Sequence, residues 1–149
     1  MRIRDFYQQR WLIEELFHAM KTGCGLENSK LRDMNALKTL TGFYAVSAVF
    51  LLQLKRLQHL APETDVYRVV PETWVRVLAL KRKLTAKNPI RTVRDFYLHL
   101  AGLGGYLARK SDPPPGWKIL WRGWLELVGL VEGFSLAMEM INESKNTCV

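Results

Sequence analysis

Cysteine is scarce in this chain: Cys24 and Cys148 are the only two in 149 residues, and only three histidines accompany them. No pair stands at metal-ligand spacing, so a structural zinc site and a disulfide framework are both excluded. Cys24 has no base beside it, because His18 lies across the Gly23 break, and a small buried residue is the better reading than a nucleophile. Acidic residues are also few. Fourteen Asp and Glu face 22 Lys and Arg, a net charge of +8. That excess favours a polyanionic partner such as DNA, although a merely basic protein has the same balance. The glycines at 102, 104 and 105 form no phosphate-binding loop, since no strand precedes them and no Gly-Lys-Ser/Thr follows. Close helix packing is the expected reason for them. No apolar leader segment is visible after Met1, and a reducing cytoplasm is expected.

Long apolar runs are limited to one. Leu40 to Leu54 covers about 15 residues against the ~20 needed to span a bilayer, and it holds Thr41, Ser47 and Gln53. A helix buried between protein layers is expected there, with no membrane contact. Hydrophobic residues make up 48% of the chain, enough for a core.

What is present is mostly helical periodicity. The spacing predicts a first helix from about Ile3 to Thr22, ended by Gly23 and Gly25. Phe6, Ile13, Phe17 and Met20 share an apolar arc on it, widened by Leu12 and Leu16. Tyr7, Arg10, Glu14 and Lys21 fall within an adjacent arc of roughly 60°. Arg and Lys suit phosphate oxygens, and a carboxylate between them suits a divalent metal. The same four residues also fit a solvated helix face with an Arg10/Glu14 pair at i,i+4. A polar loop follows from Glu27 to Asp33, where Asn28 or Ser29 can open a turn. Lys30 and Arg32 in it read as solvated charges beside that face. A long helix is expected over Met34 to Leu60, with Asp33 as its N-cap and Lys55, Arg56 and His59 near its C-terminal dipole end. Pro62 ends it.

Val66 to Val70 has β character but no evident strand partner. Pro71 then opens a helix to about Leu84, with Lys81, Arg82 and Lys83 late in it. Those three charges fit a DNA contact or a solvated helix end. After Asn88-Pro89, Thr92 caps a helix from roughly Val93 to Arg109, with Phe96, Leu100, Leu103 and Leu107 on one face. His99 on it reads as a surface or capping residue. Past Pro113-Pro114-Pro115, a last helix runs from about Trp117 to Ile141. Its Trp117, Leu120, Trp121 and Trp124 stripe is expected in the core. Further on, Leu127, Leu130, Val131, Phe134, Leu136, Ala137, Met138 and Ile141 make a wide apolar surface beside the small Gly129 and Gly133. Asn142 to Val149 is expected to fray. The chain therefore reads as all-α.

The spacing Tyr7-x2-Arg10-x3-Glu14-x6-Lys21, with Arg10-Trp11-Leu12-Ile13-Glu14-Glu15 leading into Lys21-Thr22-Gly23-Cys24-Gly25, resembles the signature of the IS-four family of bacterial DDE transposases. A second block is similar to the C-terminal region of the Tn-five-type members. It comprises Leu103-Gly104-Gly105-Tyr106, Gly116-Trp117-Lys118-Ile119-Leu120-Trp121-Arg122-Gly123-Trp124 and Gly133-Phe134. The resemblance implies that residues 1–60 are the C-terminal helices of an RNase-H-like catalytic domain and 61–149 a helical dimerisation domain. It implies cut-and-paste DNA transposition, with Glu14 as third catalytic carboxylate and metal ligand. Tyr7, Arg10 and Lys21 would then contact phosphates at the transposon end. The last helix, through Gly129, Gly133, Phe134, Ala137, Met138 and Ile141, would hold two subunits together. The family's other two catalytic residues are aspartates on strands preceding this helix, and Asp5, Asp33, Asp65, Asp95 and Asp112 do not replace them. The expectation is a transposase fragment that is inactive alone, with Mg2+ or Mn2+ belonging to the parent enzyme and no tight metal site here. Without the catalytic sheet, the apolar surface over 40–54 would lie exposed. The expected partners are DNA and a second copy or full-length transposase, in the cytoplasm at the nucleoid. The alternative is a truncated regulator that inhibits the intact enzyme by pairing with it.

Overall fold

The computed structural model describes residues 3–23, 25, 30–85 and 89–147, and side chains over 10–144 of these. The expectations for Cys24, Glu27 to Ser29, Asn88 and Cys148 lie outside the described residues, as do the side chains of Phe6 and Tyr7. Five α-helices make up the described chain, with no strand among the described residues. They are α1 (Ile3–His18), α2 (Met34–Leu60), α3 (Glu72–Lys81), α4 (Val93–Leu103) and α5 (Trp117–Thr147). The all-α reading is therefore correct.

Local chemistry sets most of the boundaries. Asp33 caps α2 by accepting from the Ala36 backbone N–H at 2.7 Å. Thr92 and Asp95 form a reciprocal capping box on α4. The loop before α4 is pinned by the Val66 N–H donating to the Arg91 carbonyl and the Val93 N–H donating to the Thr64 carbonyl, both at 2.9 Å. Val66 to Arg68 is a 3-10 turn rather than extended chain, because the Asp65 side chain accepts from the Tyr67 N–H at 3.0 Å and closes it. Two helices stop earlier than periodicity predicts. The α3 helix ends at Lys81, after which Lys83 takes a left-handed φ of 53°. The α4 helix ends at Leu103, where Gly105 turns the chain with a φ of +96°. Leu107 consequently leaves the apolar face and is exposed. Conversely, α5 runs on to Thr147 where fraying was expected.

The core forms where α4 and α5 cross and where α2 and α3 cover that crossing. Gly104 and Gly123 meet at the crossing. A β-carbon on Gly123 would collide with the Leu100 carbonyl oxygen, and one on Gly104 with that of Ile119. Close packing is thus the reason for Gly104, as the sequence suggested. The tryptophan stripe is core as well: Trp117, Leu120, Trp121 and Trp124 are all buried. Trp124 lies between Trp74 of α3 and Phe50 of α2, with ring centroids 4.7 Å away in each case. Tyr44 meets Trp121 edge-on at 5.1 Å. The Trp124 indole N–H has no partner among the described residues.

Only one side of α2 is covered. Ser47, Ala48, Leu51 and Leu54 are buried, whereas Phe43, Val46 and Val49 are exposed, Val46 at 73%. By length and composition α2 is apolar enough to cross a membrane. Burial between two layers is therefore not what the described residues show: they cover one side of α2, and the apolar surface over 40–54 lies exposed on the other.

Candidate functional site

The signature helix α1 does not stop at His18. Ala19 to Gly23 continue it as a π-turn, a wider turn of the kind found inside helices at functional positions. Ala19 is buried there. Gly23 sits against α5, where a β-carbon on it would lie 3.6 Å from those of Trp117 and Trp121. The wide turn rotates Lys21 relative to a regular helix.

The face that α1 turns to the core differs from the expected one. Leu16 and Met20 pack against the core, while Ile13 and Phe17 are exposed, as is Trp11. The anchor is Glu15, which the sequence reading passed over. Its Oε1 accepts from Lys55 Nζ of α2 at 2.9 Å and from Trp117 Nε1 of α5 at 3.0 Å. The same Lys55 ammonium lies 4.5 Å from the centroid of the Trp117 ring. Burial pushes the Glu15 carboxyl pKa up, but the hydrogen bond and charge of Lys55 and the Trp117 N–H reverse this and hold it below its ordinary value. One carboxylate thus ties α1 to both α2 and α5. No sequence signal marked it, because its partners lie 40 and 102 residues away.

With Glu15 turned inward, its neighbours Arg10, Glu14 and Lys21 stand outward and exposed. Arg10 Nε donates to Glu14 Oε1 at 3.1 Å, with side chains 67% and 61% exposed. Such a pair contributes a few tenths of a kcal/mol. Tyr7 lies on α1 two turns before Glu14. The plain reading of a solvated Arg10/Glu14 pair is present in the fold and does not conflict with a phosphate-binding face.

At the other end of the molecule, α5 outruns the core. Val131 is its last buried residue among the described side chains, and from Glu132 to Ser144 every side chain is exposed. Gly129 and Gly133 face open space. Phe134, Met138 and Ile141 are exposed large apolar groups, and Ala137 is exposed with them. Leu127, Leu130, Phe134, Ala137 and Ile141 recur at three- and four-residue steps. Leu127 and Leu130 of this run belong to the chain's own core, and Phe134, Ala137 and Ile141 continue it on the exposed stretch, a spacing that suits packing along another helix.

Two family models match the chain. One, described as a transposase DDE domain, matches residues 2–50. The other, described as the transposase Tn5 dimerisation domain, matches residues 46–143, more than half of the chain. The chain belongs to the Tn5-type transposase family. The two matches follow the order of the two sequence motifs and overlap at residues 46–50, inside the continuous helix α2. The DDE match covers α1 and the dimerisation match covers the exposed half of α5 through residue 143.

A DDE transposase implies a divalent metal in the parent enzyme. Among the described residues, no three His, Cys, Asp or Glu side chains gather where they could hold one. Glu14 supplies a single carboxylate on an open surface, and a hard divalent cation takes about six oxygen ligands. The described residues of this transposase chain do not fit a metal site by themselves.

Proposed function

We propose that this chain serves DNA transposition by joining a DNA-end-contacting helix to a dimerisation helix. In this reading α1 and α2, residues 1–60, belong to the DDE catalytic domain, because the chain leaves α2 at Ala61-Pro62. Residues 61–149 form the dimerisation domain. Arg10 binds a phosphate of the transposon end as a planar fork, Lys21 as a point charge, and Tyr7 donates a hydrogen bond to the backbone. Glu14 is the one carboxylate the chain contributes to the catalytic metal site of the parent enzyme. The exposed half of α5 pairs with a second copy or with an intact transposase through Phe134, Ala137, Met138 and Ile141, with Gly129 and Gly133 allowing close approach. The protein works in the bacterial cytoplasm at the nucleoid.

The observation that carries this reading is the stretch of α5 beyond Val131. Those residues hold an apolar seam that nothing in the described chain covers. The same observation supports a regulatory role, in which a polypeptide of these 149 residues pairs with intact transposase and blocks it. Two assays test the reading together: nicking of transposon-end DNA by the chain alone with Mg2+ or Mn2+, and titration of the chain into intact enzyme. The expected result is no nicking alone and falling activity in the mixture. Metal-dependent nicking by the chain alone would overturn the account of Glu14 as one incomplete part of a site. Unchanged activity in the mixture would remove the pairing role.

A further inference from the structure

A second group of charges lies where the ends of α3 and α4 meet the first half of α5. Arg82 follows the last residue of α3 and rests against Gly102, where a β-carbon would stand 2.8 Å from Arg82 Nη2. Arg122 of α5 rests in the same way against Gly105, with a corresponding distance of 3.2 Å. The two glycines belong to one turn, closed by the Gly105 N–H donating to the Gly102 carbonyl at 3.2 Å. Both guanidinium groups thus sit on backbone that carries no side chain, and both residues are exposed. Neither has a carboxylate partner among the described residues. Glu126, one turn beyond Arg122, is occupied by Lys81 at 3.0 Å. His99, one turn before Gly102, reports the local field. Its pKa is held below the ordinary value by burial and then by the Arg82 charge, against the opposite pull of Asp95. Two guanidinium groups on one glycine turn, neither with a carboxylate partner among the described residues, favour an anion there. Their planar forks suit phosphate oxygens better than a point charge would.

We propose that Arg82 and Arg122, seated on the Gly102–Gly105 turn, bind phosphodiester groups of duplex DNA at a site separate from the signature helix. This rests on the proposed reading of DNA as the partner. The dimerisation module would then hold DNA as well as a second subunit, and binding there would be independent of base sequence.

The test is duplex binding by the full chain, followed by fluorescence anisotropy across a salt series. Each phosphate contact adds about 0.9 to the slope of log K against log salt. The double variant Arg82→Gln/Arg122→Gln should lower that slope by about 1.8. The control Arg68→Gln/Arg91→Gln removes the same charge near the opposite end of α4 and should lower it much less. Arg82→Lys/Arg122→Lys should retain most of the slope with weaker affinity, because the charge stays and the fork is lost. An unchanged slope in the first variant, or equal slopes in the first variant and the control, would overturn the proposal. The companion variant Arg10→Ala/Lys21→Ala separates the two readings. If it loses end binding while Arg82→Gln/Arg122→Gln keeps the full slope, only the second site is wrong. If the unaltered chain binds no duplex at all, both fall.

Discussion

Replacing Glu15 should do more damage than replacing its neighbour Glu14. In Glu15→Ala the oxygen that accepts from Lys55 at 2.9 Å and from Trp117 at 3.0 Å is gone. A hydrogen bond to a charged group contributes about 1.5–3 kcal/mol, and a covered donor left without a partner costs about 1–3 kcal/mol. Lys55 and Trp117 touch each other, so the losses overlap and do not add in full. The expected destabilisation is roughly 3 kcal/mol. Glu15→Gln retains an oxygen for the Trp117 N–H and loses the charge facing Lys55, for roughly 1 kcal/mol. Glu14→Ala breaks only an exposed pair and should cost under about 0.5 kcal/mol. Urea unfolding at pH 7 measures all three, at one chain concentration so that self-association contributes equally. Acid adds an independent check. The folded-state pKa of Glu15 lies below its ordinary value of 4.5. Its contribution is therefore complete above that value and is lost as pH falls through the lower folded one. Glu15→Gln should remove this part of the acid sensitivity and leave the part due to Asp95, whose pKa is also lowered. Glu15→Ala and Glu15→Gln variants within about 0.5 kcal/mol of the unaltered chain would refute the anchoring role.

Three further outcomes follow from the same geometry. Gly123→Ala should cost more than about 2 kcal/mol, since the new methyl meets backbone that cannot rotate away, while Gly42→Ala, in open space on α2, should gain about 0.5–1 kcal/mol. Thermal unfolding of the pair checks the sign of each. Burial, with a small addition from Tyr106, raises the Tyr97 pKa from 10.0 to about 12. Its share of stability is therefore full below pH 10 and lost as pH rises towards 12, and Tyr97→Phe should abolish that alkaline decline in a pH-dependent melt. Arg10→Ala/Lys21→Ala should weaken binding to transposon-end duplex about tenfold or more without changing the helical circular dichroism.

Much of the fold was legible because its signals are local. Asp33 and Thr92 are caps read from a few residues, and the bounds of α2 follow from Asp33 and Pro62. The tryptophan stripe follows from helical spacing, and Gly104 from the need for close approach. The parts that were not legible depend on what lies across space. Periodicity shows that α1 has an apolar side but does not say what covers it. In the fold Glu15 and the π-turn at Ala19–Gly23 set its rotation, and Ile13 and Phe17 face outward. The pattern on α4 continued to Leu107, but the chain reverses at Gly105 and the pattern past it loses meaning. The signature residues were visible as a motif. Their outward orientation depends on the Glu15 bonds to residues 55 and 117, which no local reading supplies.

If the stretch of α5 beyond Val131 pairs chains, self-association depends on its exposed apolar side chains. Sedimentation equilibrium of the unaltered chain and of Ile141→Asp tests it most directly. Ile141 is exposed on the stretch of α5 beyond Val131, so the variant should fold as the original does. The expected masses are twice the chain mass of 17.3 kDa for the unaltered protein and a single chain mass for the variant. A monomer in both cases, or a dimer that survives the substitution unchanged, would contradict it.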